Sequence, residues 1–146
     1  MSEAYRPLYV AEPPVQYLAR PPVVLDCSVL AAFIFREPSL AQALAKIDGR
    51  SLKAPHLLNI EIASVALKKQ RSDFAEPIAP CLDALDAMNI ELFGVRPKDT
   101  FALAQRYKLS AYDAAYLWLA AELKCPLATF DEKLAKAAKE HLASLP

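Results

Sequence analysis

The segment from Leu109 to Asp131, LSAYDAAYLWLAAELKCPLATFD, constrains the fold most, because it is almost wholly apolar yet carries an aspartate near each end. Between Ala111 and Leu123 the only charged residues are Asp113 and Glu122, so a helix here is apolar nearly all round and belongs in the middle of a domain. Pro126 stops that helix. The run from Pro126 to Phe130 is too short for another helix and reads as an internal strand, with Asp131 just past its end. A carboxylate at the start of a central helix and another at the carboxyl end of a strand can meet in the crevice where open α/β sheets place ligands.

The rest of the chain supplies a sheet for that crevice. Residues 1 to 22 hold Pro7, Pro13, Pro14, Pro21 and Pro22 and no helical or strand period, so they read as an extended arm before a domain spanning 23 to 146. Val23-Val24-Leu25 is a short strand ending in Asp26, and the apolar run CSVLAAFIF after it is a helix. A second helix starts at Pro38-Ser39 and is stopped by Gly49, and Leu52 to Ala54 is a strand. Pro55 opens a helix to Arg71 with apolar residues over most of its circumference and Glu61 among them. A helix follows within 72 to 88, its regular part after Pro77 and Pro80, and then a strand at 90 to 95. A helix from Pro97 to Lys108 comes next, and an amphipathic helix after Asp131 closes the chain. The order β-α-α-β-α-α-β-α-α-β-α predicts an α/β fold with a small, mostly parallel sheet covered on both faces.

Composition excludes several classes of function. Seventeen basic and seventeen acidic residues cancel, so no global field draws the chain toward nucleic acid or a membrane surface. Apolar runs fall short of the roughly 20 residues a bilayer span needs. With only Gly49 and Gly94, neither a P-loop nor a dinucleotide fingerprint can be built. Three cysteines without metal spacing, and no secretory signal, point to a reducing cytoplasm.

Four carboxylates stand out by context: Asp26, Glu61, Asp113 and Asp131. Ligands that are all oxygen suit Mg²⁺ or Mn²⁺, and the chemistry to expect of them is metal-assisted phosphodiester hydrolysis. Each aspartate also has a plainer reading as a helix N-cap. Glu61 has none, because a mid-helix acid buried alone would cost roughly several kcal/mol and needs a partner or a metal. His56 and His141 lack partners at metal spacing, Tyr112, Tyr116 and Trp118 read as packing, and Lys133, Lys136 and Lys139 as a solvated face. A phosphatase with an aspartyl nucleophile at Asp26 is disfavoured, since Ser28 stands where that chemistry wants a second acid. In a crowded carboxylate cluster, Asp26→Asn or Asp113→Asn should leave the metal-free fold at least as stable as before.

VVLDCSVLAAFIF, PHLLNIEIASVALK and LSAYDAAYLWLAAELKCPLATFDEKLAKAA, in that order and spacing, resemble the three sequence blocks of the PIN domain, in particular of the VapC toxins of bacterial toxin–antitoxin pairs. The resemblance spans about residues 23 to 140, and the proline-rich leader departs from it. It implies a three-layer α/β/α fold and Mg²⁺- or Mn²⁺-dependent endoribonuclease activity. Asp26, Glu61, Asp113 and Asp131 would be the metal-binding and catalytic acids, with Ser28 and Thr129 as supporting hydroxyls. It further implies a homodimer, a cognate antitoxin, and an RNA substrate approached through basic residues such as Arg36, Lys68, Lys69 and Arg71. The alternative is a catalytically idle PIN-like module that binds RNA or protein.

Overall fold

The computed structural model describes residues 7–9, 11 and 20–146, so the arm expected over residues 1 to 22 lies largely outside the described residues. Four strands, β1 (Pro22–Leu25), β2 (Ser51–Pro55), β3 (Glu91–Phe93) and β4 (Leu127–Ala128), form one sheet in the order β3-β2-β1-β4. Every pairing is parallel. Val23, Val24 and Leu25 are all buried, as expected of a central strand covered on both faces. Val24 is paired with Lys53 on one side and Leu127 on the other, which fixes β1 as the hub of the sheet.

Seven helices among the described residues complete an α/β/α arrangement: α1 (Cys27–Ile34), α2 (Leu40–Ile47), α3 (Leu57–Arg71), α4 (Ile78–Ala87), α5 (Pro97–Tyr107), α6 (Ala111–Leu123) and α7 (Glu132–Ala143). α6 is the central helix its composition predicts. Ala114, Ala115, Tyr116, Leu117, Leu119 and Ala120 are buried on all its sides, and it packs on β1, β2 and β4. It starts at Ser110, whose Oγ accepts from the Asp113 N–H, and ends at Lys124 in the left-handed conformation. Leu25 and Leu117 are fully buried, and truncating either to alanine would cost about 2–5 kcal/mol, a large share of a domain's stability.

The structure corrects two readings of the sequence. β4 is two residues long rather than the whole run to Phe130, because only Leu127 and Ala128 face β1 in register. The apolar residues that cover most of α3 are not all buried: Leu58, Ile62 and Ala66 form a single buried stripe, while Ile60 is 75% exposed and Leu67 also faces solvent.

Strand order sets the position of the crevice. The chain steps outward from β1 through β2 to β3, then returns to place β4 on the other side of β1. The carboxyl ends of β1 and β4 therefore flank the point where the winding reverses, which is where ligands bind in sheets of this kind.

Candidate functional site

Asp26 follows β1 and Asp131 follows β4, so the parallel pairing brings two residues 105 positions apart in sequence to one edge. The ladder continues past the strands through a hydrogen bond from the Asp26 N–H to the Ala128 carbonyl at 3.2 Å. That contact places Thr129 against the Asp26 side chain.

Asp26 is 5% exposed, and three donors hold it. Ser28 Oγ donates to Oδ1 at 2.6 Å, Val29 N–H to the same oxygen at 3.2 Å, and Thr129 Oγ1 to Oδ2 at 2.5 Å. Each hydroxyl in turn accepts a backbone N–H, Ser28 from Phe130 at 3.0 Å and Thr129 from Asp131 at 2.9 Å. Both hydroxyl protons are thereby directed at the carboxylate, and the end of β4 is tied to the start of α1. Burial nonetheless pushes the Asp26 carboxyl above its ordinary range, with the three donors pulling the other way.

The remaining acids come from three helices. Glu61 on α3 is half-buried, and its Oε1 accepts a 2.6 Å hydrogen bond from the Tyr116 hydroxyl on α6. This phenol, 1% exposed, is the partner that a mid-helix acid requires. Burial raises the Glu61 carboxyl, and repulsion from Asp113 and Asp26 raises it further. Asp113 sits in the first turn of α6, also half-buried, and is raised first by burial and then by Asp131 and Asp26. Its plainer reading as an N-cap fails because Ser110 occupies that position. Asp131 is exposed and does cap α7, its Oδ1 accepting from Leu134 N–H at 2.8 Å. Asp26 likewise caps α1. α1, α6 and α7 thus start at this edge, and their N-terminal dipoles favour negative charge there.

The acids named from the sequence therefore gather at one edge, where Asp113 and Asp26 raise Glu61 and where Asp131 and Asp26 raise Asp113, while Ser28 and Thr129 brace Asp26. The donor chemistry, carboxylate oxygens with unrelieved mutual repulsion, fits a hard divalent cation. Among the described residues no three His, Cys, Asp or Glu side chains form a ready cage. A hard divalent cation that keeps several of its waters needs only one or two carboxylates from the protein.

The hydrogen bonds of Asp26 set it apart from Asp113 in what an asparagine would do there. Asp26→Asn would leave a hydroxyl proton of the clamp without an acceptor, so we predict that it destabilises the fold, whereas Asp113→Asn relieves repulsion without stranding a hydroxyl. Of the aromatic residues read as packing, Tyr116 is the one the sequence undervalued. The signal was its place three residues after Asp113 on a buried helix, since a buried phenol needs a polar partner. Tyr112 is not packing at all, being 64% exposed.

Of the basic residues named from the sequence, Lys68 lies near enough to act on the Cys27 thiol beside Asp26, while Lys69 and Arg36 are engaged elsewhere. Lys69 is 3.2 Å from Glu37 and lies over the rings of Phe35 and Phe74, while Arg36 lines an apolar groove with Leu40, Leu44 and Pro77. Lys68 and Arg71 are exposed near the end of α3. Cys27, next to Asp26, is half-buried with its thiol pushed up to about 12 by burial and then by Glu61 and Asp26, which makes it inert at neutral pH.

A parallel α/β/α domain with an all-carboxylate crevice at its winding reversal is the class that this fold and site define. The sequence model of the PIN domain matches residues 23–140, and the chain belongs to the PIN domain family. It is similar to Ribonuclease VapC3 of Pyrobaculum aerophilum, 27% identical over 121 residues covering 78% of this chain and 92% of that protein. The fold is also similar to the crystal structure of PAE2754 from Pyrobaculum aerophilum, with a TM-score of 0.63 at 20% identity over 84% of this chain and 88% of that one.

Proposed function

We propose that this chain is a divalent-cation-dependent endoribonuclease and the toxin of a type II toxin–antitoxin pair. The observation that carries the reading is the crowding of Asp26, Glu61 and Asp113, each held above its ordinary ionisation range by burial and two of them further by their neighbours. Such repulsion is a standing cost in the free protein that a cation would relieve. Similarity to a protein named Ribonuclease VapC3 supports RNA as the substrate and a cognate antitoxin as a partner.

Asp26, Glu61 and Asp113 are the residues that would hold Mg²⁺ or Mn²⁺, with Asp131 at the outer rim. When bound, the ion supplies Lewis-acid stabilisation of the charge that develops on phosphate oxygens. The chain's own part is positional. The Ser28–Thr129 clamp fixes both oxygens of Asp26, and the Tyr116 phenol, pushed well above its ordinary range by burial and by Glu61, stays protonated and orients Glu61. A second copy of the chain would cover the groove of about 540 Å³ between α1, α2 and α4, whose lining includes Phe33, Leu44, Pro77 and Pro80.

Cleavage of total RNA with and without Mn²⁺, wild type against Asp113→Asn, tests the activity. Cation-dependent cutting by wild type alone is the expected result, and cutting that persists in EDTA would defeat the reading. The idle-module alternative draws on the lack of a ready three-ligand cage among the described residues. RNA binding without cleavage in any divalent cation would favour it.

A further inference from the structure

The lysines at 133 and 136 read in the sequence as part of a solvated face of the last helix, but the fold sets them opposite the end of α5. Arg106, Tyr107 and Lys108 from α5 and its cap, with Lys133, Lys136 and Glu140 from α7, line one cleft of about 490 Å³. Four cations face a single carboxylate there, in a chain whose net charge is zero. Among the described residues none of the four is salt-bridged, in contrast to Lys53 and Lys69. Arg106 is held in place, its guanidinium 5.2 Å from the centre of the Tyr107 ring, and that ring is fixed by a 3.0 Å hydrogen bond between its hydroxyl and His141 Nδ1.

The cleft adjoins the acidic crevice through both of its walls. Lys133 is two residues past Asp131 in the first turn of α7, and its charge lowers the Asp113 carboxyl against the pull of burial. Lys108, in the left-handed conformation, starts the turn that leads through Ser110 to Asp113. A polyanion brought to four carboxylates needs compensating cations nearby, and an unpaired basic cleft beside the acids provides them.

We infer that this cleft is where the RNA phosphate backbone is held as it enters the site, rather than the end of α3. The inference rests on the ribonuclease reading and names the surface that reading leaves open. Arg106 and Lys136 contact phosphates directly, while Lys133 bridges the basic and acidic regions.

The test is fluorescence anisotropy of a labelled single-stranded RNA oligonucleotide with the Asp113→Asn protein in Mg²⁺, over a range of salt. Arg106→Ala with Lys136→Ala should weaken binding about 25-fold at about 0.1 M salt and take about 1.4 off the log–log salt slope, at about 0.7 per single-strand phosphate contact. Arg106→Lys with Lys136→Arg should restore both, and Lys68→Ala with Arg71→Ala should change neither. All these side chains are exposed, so melting temperatures should stay level. Unchanged RNA affinity in the Arg106/Lys136 double variant, while wild type still cuts RNA in Mn²⁺, overturns the cleft and leaves the ribonuclease reading standing. This would also be the result if the cleft serves an acidic protein. No RNA affinity in any variant, together with no cleavage by wild type, overturns both.

Discussion

The two sides of the acidic crevice are built on opposite principles. On one side Asp26 is buried, both its oxygens accept hydrogen bonds, and it caps α1. On the other, Asp113 has its N-cap position taken by Ser110 and is left half-exposed against two like charges. The same residue type is thus a structural keystone in one place and, in the other, a charge that Lys133 offsets only in part. A carboxylate with most of its lone pairs committed to the fold fixes the geometry and keeps one direction on Oδ2 for a cation, whereas one facing its own kind depends on the cation to offset repulsion.

The largest effect should ignore that distinction. Asp26→Asn and Asp113→Asn should each reduce RNA cleavage by at least about a hundredfold, since several kcal/mol of charge stabilisation depend on the cluster. Single-turnover rates on a defined RNA would check it, and a variant retaining half the wild-type rate would remove its aspartate from the site. Stability should then separate the two. Without metal, Asp26→Asn should lose about 1–3 kcal/mol through the stranded hydroxyl, with Thr129→Val behaving alike, while Asp113→Asn should be level or slightly more stable. Urea unfolding in EDTA would decide it, and equal losses at 26 and 113 would break the comparison.

A smaller shift is expected from metal. Mg²⁺ or Mn²⁺ at about 100 times its dissociation constant should stabilise wild type by about 2.7 kcal/mol and Asp113→Asn by clearly less, read as melting temperatures. The smallest effect is in pH. Because Glu61 and Asp113 have carboxyls raised in the folded state, the native protein binds more protons than the unfolded chain above their ordinary values near 4. Metal-free stability from these groups should therefore fall as pH rises through that window toward their raised values, and recover on acidification. Melting in EDTA at a series of pH values rising from about 4 should show the downward trend for wild type, weakened in Asp113→Asn.

Much of the architecture was legible because punctuation and pattern agree. Gly49, Pro55 and Pro97 mark element ends, and an apolar run as dense as that of α6 has nowhere to go but the middle. The acids stood out in the sequence because three follow a strand or open the central helix, while Glu61 interrupts an apolar run inside α3. Strand order was not legible, because β4 contributes two residues whose partner is chosen by the whole packing. Nor was the one-sidedness of α3: Ile60 and Leu67 look like core residues in composition, and only the placement of the neighbouring helices leaves them outside. The Tyr116–Glu61 bond joins residues 55 apart and has no local signature. The cleft between Arg106 and Lys136 is hidden likewise, since cations on two separate helices become a cleft only after α5 and α7 come together.

The clamp on Asp26 also has a consequence for the order in which a ribosome makes the chain. Asp26 emerges early, whereas Thr129, the donor that fixes its second oxygen, follows 103 residues later with the strand that carries it. Until that strand docks beside β1, Asp26 has only its local donors Ser28 and Val29, and Asp131 is not yet in place beside it. On the ribonuclease reading, the complete acidic site, and with it any cleavage of RNA, would form only at the final stage of the chain's own folding.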